Sequence, residues 1–167
     1  DRDVLLIDKN GDFHCILKPK YMNRANRELE KLGTTDKEIY NSYNFGPALI
    51  KNNELLIKEN DRFSYNDISA DKKVARISLS QVGKLEYVII ASSDEYSKGS
   101  KGLTIKEFAK LNYEVINRLY PEKGSLLSYN FDGGTSTTVV SNGKKVCCPG
   151  MKDRRINDMI CFLSLVR

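Results

Sequence analysis

Polar and apolar residues alternate in VARISLSQVGKLEYVIIA, residues 74–91, and this alternation constrains the fold more than any other feature of the chain. The residues at 75, 77 and 79 are apolar, whereas those at 76, 78 and 80 are polar. Side chains on a strand point to opposite faces in turn, so a pattern with a period of two predicts strands with one polar face. We therefore predict two adjacent strands here.

Tight-turn signals divide much of the remaining chain into short strands. Asn10-Gly11 is a strong hairpin signal, because Asn-Gly tolerates positive φ at both turn positions. Asn52-Asn53 and Asn142-Gly143 predict two further hairpins. Four late segments rich in β-branched or aromatic residues are also predicted as strands: SLLSYNF (125–131), TSTTVV (135–140), KKVCC (144–148) and DMICFLSLV (158–166).

The clearest helix is predicted over residues 104–119, where apolar residues recur with helical spacing. Thr104 and Glu107 form a capping box that fixes its start. NRANRELEKLG (23–33) predicts an earlier helix that ends at Gly33, and TTDKEIYNSY (34–43) predicts a short second one. The polar stretch at 58–73 is predicted to be a loop.

These elements predict an α+β fold: a mixed, largely antiparallel sheet with the 104–119 helix packed on it. A doubly wound parallel sheet would need more alternating helices than the chain provides. A length of 167 residues fits one domain, so residues 1–167 are predicted to form a single domain.

The charge pattern narrows the class of partner. The net charge is +5, from 27 basic and 22 acidic residues, and the basic residues are scattered. Nucleic-acid binding usually needs a concentrated basic stripe, so we do not expect it. A mildly basic surface suits anionic polymers or phosphate-bearing substrates. No run approaches a membrane span and residues 1–20 lack the apolar core of a signal peptide, so we expect a soluble domain.

The cysteines and the single histidine do not predict a metal site. The four cysteines contain no C-x-x-C pair, and one histidine cannot complete a usual zinc site. The cysteines are predicted to be small apolar core thiols, with a disulfide as the alternative. His14 is predicted to be structural, and no Ser-His or Cys-His nucleophile system is evident.

The stretch YNFDGGTSTT, residues 129–138, is the first candidate for chemistry. Asp132 ends a polar row at a strand terminus, and the glycines after it let a ligand approach backbone N–H groups. Ser136 and Thr138 would continue the polar face. A carboxylate beside bare amides and hydroxyls suits a sugar or phosphate. The alternative is a plain hairpin turn in which Asp132 caps its own backbone.

Two further features could bind an anion. SKGSKGLT, residues 97–104, precedes the best helix, whose N-terminal N–H groups and dipole attract anions, and Lys98 and Lys101 add positive charge. The alternative is a solvated loop. Arg76 and the pair Arg154-Arg155 could each hold a phosphate or carboxylate with two parallel bonds, although most arginines are solvated or in structural ion pairs.

Taken together, six segments in one order resemble the phosphodiester glycosidase family, which includes the lysosomal uncovering enzyme, N-acetylglucosamine-1-phosphodiester alpha-N-acetylglucosaminidase. The resemblance covers roughly residues 45–167, the C-terminal part of the family's domain. The six segments are GPALI (46–50), RISLSQ (76–81), SKGLT (100–104), NFDGGTSTT (130–138), NGK (142–144) and RRI (154–156).

The resemblance implies hydrolysis of a sugar-1-phosphodiester in a surface polysaccharide or glycan, outside the cell or on its surface. We predict no cofactor, and the sequence leaves open whether a divalent ion takes part. Asp132 would activate water or stabilise the sugar cation, and Arg76 and Arg154 would hold the phosphate. The rival interpretation is a non-catalytic glycan-binding or exopolysaccharide-associated domain. The residues implied to bind substrate are Gly133, Gly134, Ser136, Thr137, Ser100, Gly102 and Thr104.

The chain departs from the family pattern in four places. Residues 1–44 lack the family's glycine- and phenylalanine-rich segment, so we expect part of the fold and of the site to be missing. SSDEY (92–96) replaces an Asp-Gly-Arg, and Asp94 or Glu95 could supply a second carboxylate. Ser80 and Thr135 replace family glycines, which would narrow the pocket or alter its turn.

Overall fold

The alternating stretch forms the two longest strands among the residues that the structure describes. The computed structural model describes residues 2–17, 27, 29–31, 33, 38–58, 69–93, 100–147, 155–156 and 159–163. The strands are β1 Val4–Asp8, β2 Phe13–Ile16, β3 Ile39–Tyr43, β4 Ala48–Lys51, β5 Glu54–Leu55, β6 Arg76–Gly83, β7 Glu86–Ser92, β8 Leu127–Asn130, β9 Val140–Ser141 and β10 Lys144–Lys145, and the long helix α1 is Ile105–Leu119.

The strands form three sheets in which neighbouring strands are antiparallel. The largest sheet has five strands in the order β5-β4-β8-β6-β7. A three-stranded sheet has the order β2-β1-β3, and β9 and β10 form a small hairpin. The predicted α+β class with a long helix is confirmed.

The five-stranded sheet is covered on both faces. On one face α1 packs against the sheet in a core that includes Phe108, Ile116 and Val82. On the other face the three-stranded sheet contributes Leu5 and Cys15 to a second core with residues of β4 and β8. The Tyr129 hydroxyl joins these layers, since it donates to the carbonyl of Asp3 at 2.7 Å. Burial of apolar side chains on both faces explains why this sheet forms the centre of the domain.

Two of the predicted hairpins have the expected turn geometry and one differs. Asn52 and Asn53 both have positive φ, 51° and 58°, and so do Asn142 and Gly143. In the first hairpin only Gly11 has positive φ, because the Asp8 carboxylate accepts the N–H groups of Asn10 and Asp12 and holds a wider turn. That hairpin forms as predicted with a different turn type.

The helix predicted over residues 34–43 is wrong in the part that the structure describes. Residues 39–43 form β3, which pairs with β1 so that Tyr43 lies opposite Leu5. Burial alternates along β3, which fits a strand and not a helix. Pairing with β1 overrides the weak helical pattern. Of the earlier predicted helix, residues 27 and 29–31 are helical, and the remainder except Gly33 lies outside the described residues.

Two of the late predicted strands are largely absent, and the other two are shorter than predicted, since 125–131 forms only Leu127–Asn130 and 144–148 forms only Lys144–Lys145. Most of 135–140 is not a strand, because a 3-10 turn spans Gly134–Ser136 and only β9 follows. Of 158–166, the structure describes 159–163, which have no regular secondary structure. Phe162 instead contacts the ring of Tyr87, with centroids 5.6 Å apart. Residues 59–68 of the predicted loop lie outside the described part.

The structure describes three of the cysteines, and their surroundings differ. Cys15 is buried as predicted, and burial raises its pKa to about 12. Cys147 is partly buried, whereas Cys161 is exposed, so the core prediction is wrong for Cys161 because the segment around it lies on the surface. Cys148 lies outside the described residues. Among the described helices, none is long and apolar enough to cross a membrane.

Candidate functional site

The turn that carries Asp132 is anchored to the start of β6 on both sides of the carboxylate. The N–H of Phe131 donates to Ile77, and the N–H of Gly134 donates to Ala75 at 2.7 Å. Asp132 lies between these two bonds with an exposed side chain. The structure therefore presents a carboxylate to solvent from a backbone fixed by the central sheet.

The two glycines after Asp132 are needed for different reasons. A Cβ at Gly133 would lie 2.5 Å from the carbonyl oxygen of Ala75, so only glycine fits this approach of two backbones. Gly134 has a φ of +55° and open space around its Cα. Its positive φ, and not crowding by neighbouring atoms, therefore favours glycine at this position. The predicted access to bare amides is reduced, because the Gly134 N–H is already donated to Ala75.

The residues after the glycines close a short 3-10 turn. The N–H of Ser136 donates to Gly133 and the N–H of Thr137 donates to Gly134, both at 3.1 Å. Thr137 is buried, and its hydroxyl oxygen has no hydrogen-bond partner among the described residues. Asn130 Oδ1, at the end of β8, is also buried and has no hydrogen-bond partner among the described residues. Buried polar atoms are usually satisfied, so each of these two oxygens would be stabilised by a water molecule or a ligand group that reached it.

The predicted polar face of β6 is buried under α1. Ser78 donates to Asn112 Oδ1 at 2.6 Å, and Ser128 of β8 donates to the same atom at 3.3 Å. Ser80 donates to the hydroxyl of Ser128 at 2.7 Å. The shared face predicted from the alternation is present, and its serines bind the helix and one another.

Arg76 lies at the start of the same face, and its guanidinium is buried. It donates to the backbone carbonyls of Ser69, Lys72 and Leu103 at 2.7–3.0 Å. Burial lowers its pKa to about 10, which still leaves it charged at neutral pH. These bonds join the chain before β6 to the segment before α1. The phosphate contact of Arg76 stays a prediction.

Contacts with neighbouring segments of the chain hold Ser100–Thr104 in place. Ser100 donates to the carbonyl of Ser93, and a Cβ at Gly102 would lie 2.6 Å from the backbone nitrogen of Val74. Thr104 and Glu107 form the predicted capping box, which is confirmed. The N–H of Ile105 donates to Ala70. Much of the helix N-terminus is thus already occupied, and Glu107 places negative charge there.

The structure brings two of the predicted elements to one place. Leu103 forms a β-bridge with Val74, while Gly134 is bonded to the adjacent Ala75. The Asp132 turn and the Ser100–Thr104 segment therefore flank the same stretch of backbone. Arg154, Asp94, Glu95 and Lys98 lie outside the described residues. Within the described ranges, no three His, Cys, Asp or Glu side chains are grouped to hold a metal.

Two asparagines matter more than the sequence indicated. Asn112 lies on the buried face of α1, where the periodicity placed it among apolar residues, and it bonds both serine-bearing strands. A polar residue at an apolar position of a helix was the available signal. Asn130 ends the polar row before Asp132, and its Nδ2 donates to the carbonyl of Gly46 at 2.8 Å.

Comparison with known proteins identifies the family. No curated protein matches the chain. Among solved structures, a hypothetical protein from Synechocystis is similar with a TM-score of 0.49 and 18% identity, over 83% of this chain and 21% of that one. A family model described as phosphodiester glycosidase matches residues 2–163, well beyond the motifs that begin near residue 45. The chain belongs to the phosphodiester glycosidase family.

Proposed function

We propose that this domain hydrolyses a sugar-1-phosphodiester bond in a surface polysaccharide or other glycan, outside the cell or at its surface. Family membership suggests glycosidase activity. The observation that carries the proposal is the exposed Asp132 on a turn that two backbone bonds fix to β6. Glycoside hydrolysis usually relies on a pair of carboxyl groups, and Asp132 would supply one of them.

Hydrolysis of a sugar-1-phosphodiester requires less catalytic assistance from the protein than hydrolysis of an ordinary glycoside. A phosphate ester leaves the anomeric carbon as a stable anion, so little proton donation is needed. The main requirement is stabilisation of the positive charge that develops on the sugar. Asp132 either stabilises that charge or activates the attacking water, and both roles need its negative charge.

Other residues of the turn would bind the sugar ester. The hydroxyl of Ser136 and the buried, unsatisfied oxygens of Thr137 and Asn130 are polar groups that precede and follow Asp132 in the chain. We assign Arg76 to position the Ser100–Thr104 segment through Leu103, and we keep its contact with phosphate, together with that of Arg154, as part of the proposal.

The proposal is tested by hydrolysis of a sugar-1-phosphodiester by the wild-type protein and by Asp132→Asn. We expect turnover to fall at least about a hundredfold in the variant with folding intact, since the substitution removes charge and leaves shape. Far-ultraviolet circular dichroism checks the fold. Equal turnover in both proteins would contradict the assignment of Asp132.

A non-catalytic glycan-binding domain is the second candidate. It is favoured by the contacts of Arg76, whose guanidinium already donates to three backbone carbonyls. Arg76 is one of the two cations predicted to hold phosphate. Because its guanidinium already makes these bonds, fewer of its N–H groups remain to bind phosphate. Binding of a sugar phosphodiester without turnover, unchanged in Asp132→Asn, would support this candidate over the enzyme.

A further inference from the structure

A cavity of about 240 Å³ lies apart from the Asp132 turn, between the three-stranded sheet and β7. Residues 160–163 form part of its wall. Most of the remaining wall is aromatic or aliphatic, with one side-chain amide, and is formed by Ile7, Phe13, Asn41, Tyr43 and Tyr87.

The aromatic rings of this wall are held in place by contacts with one another. Phe13 and Tyr87 are stacked with centroids 5.2 Å apart, and Phe162 contacts Tyr87 at 5.6 Å. The Tyr87 hydroxyl donates to the carbonyl of Gly11 at 2.7 Å, which fixes the ring against the first hairpin. The cavity therefore has ordered aromatic walls, which cost little conformational entropy when a ligand binds.

One ring contact joins the cavity wall to the residue that precedes Asp132. Tyr43 meets Phe131 edge to face, with centroids 5.3 Å apart, and Phe131 precedes Asp132 in the chain. At the other end of the cavity, Tyr87 of β7 lies opposite Gln81 of β6. Gln81 is five residues along β6 from Arg76. At a rise of about 3.4 Å per residue, that separation is roughly 17 Å. A glycan of a few sugar units has a length of this order.

We propose that this cavity binds one hexopyranose ring of the glycan whose phosphodiester is cleaved at Asp132. The apolar C–H face of a pyranose packs on aromatic rings, while its hydroxyls need a polar group such as Asn41 or water at the rim. The volume is below the roughly 300–1,000 Å³ of pockets for larger ligands, which fits one ring. The inference rests on the proposed function, because it takes the same glycan as substrate.

The test uses unphosphorylated hexasaccharides of glucose, N-acetylglucosamine and mannose, with binding measured by saturation-transfer NMR. Phe162→Ala and Tyr43→Leu remove wall rings. Phe162 is half exposed, so its truncation leaves the core intact even if Tyr43→Leu fails to fold. Tyr40→Ala is the matched control, because Tyr40 lies on the same strand as Tyr43, is 78% exposed and is not part of the wall.

We expect at least one hexasaccharide to bind the wild type, with affinity about tenfold lower in each wall variant and unchanged in Tyr40→Ala. Asp132→Asn should keep this binding, so loss of turnover alone would leave the cavity assignment intact. Hexasaccharide binding that is unchanged in Phe162→Ala would overturn the proposal. Binding of 8-anilinonaphthalene-1-sulfonate with no binding of any hexasaccharide would also overturn it.

Discussion

At the scale of single residues, Gly133 decides whether the Asp132 turn can form. Alanine there would place its Cβ 2.5 Å from the Ala75 carbonyl oxygen, a backbone atom that cannot rotate away. We expect Gly133→Ala to displace the turn and lower the free energy of unfolding by about 1–3 kcal/mol. Urea denaturation measures this loss, and sugar-1-phosphodiester turnover should fall with it.

Gly134→Asn is the matched control for that substitution. Gly134 has positive φ and open space, and asparagine tolerates this conformation better than other residues with a side chain. Its effect on unfolding should be below about 1 kcal/mol. Equal destabilisation by both substitutions would show that backbone conformation, not the close contact with Ala75, limits position 133.

Asp8, in the first hairpin, makes the stability of the folded state depend on pH. Burial raises its pKa, but hydrogen bonds from His14 and from the N–H groups of Asp12 and Asn10 outweigh burial and bring the pKa below its ordinary value of 3.8. The lowered pKa stabilises the folded state above pH 3.8, and this contribution is lost as pH falls through the folded pKa. Asp8→Asn should therefore lower stability at pH 7 and flatten its dependence below about pH 4.

Urea denaturation at several pH values measures the effect of Asp8→Asn. The control is Asp71→Asn, which removes an exposed carboxylate and should change the free energy of unfolding at pH 7 by less than about 0.5 kcal/mol. His14 lies 3.0 Å from Asp8 Oδ2, which fits the structural role predicted for it. A profile for Asp8→Asn identical to that of the wild type would contradict this account.

At the scale of elements, α1 begins where its sequence predicts because Thr104 and Glu107 satisfy one another's N–H groups. Thr104→Ala removes the cap and should cost about 1 kcal/mol of stability. In a domain of this size that loss corresponds to a melting temperature lower by about 2–4 °C. Thermal denaturation followed by circular dichroism measures it, with the exposed Thr138→Ala as control.

At the scale of the whole molecule, Asn112 holds helix and sheet together through polar contacts. Its Oδ1 accepts from Ser78 and Ser128, and its Nδ2 donates to the carbonyl of Phe108. Asn112→Leu would leave buried hydroxyls with fewer partners and should destabilise the domain by about 2–4 kcal/mol. Urea denaturation tests this, and the exposed Lys110→Leu should change stability by less than about 0.5 kcal/mol.

Features that depend on neighbouring residues were determined by the sequence alone. The turns at Asn52-Asn53 and Asn142-Gly143, the alternation along β6 and the cap of α1 each involve contacts within a few residues, so their patterns could be interpreted directly. The DGG turn is also recognisable because glycine is required at fixed positions.

Only the tertiary structure decided where these local elements point and what they contact. Residues 39–43 became a strand because β1 offered an unpaired edge, and the polar face of β6 was buried because α1 supplied Asn112 as a partner. The guanidinium of Arg76 is bonded to carbonyls of segments before β6 and before α1. Such contacts join residues distant in the chain, and their energies depend on the packing of the whole domain, which no local pattern records.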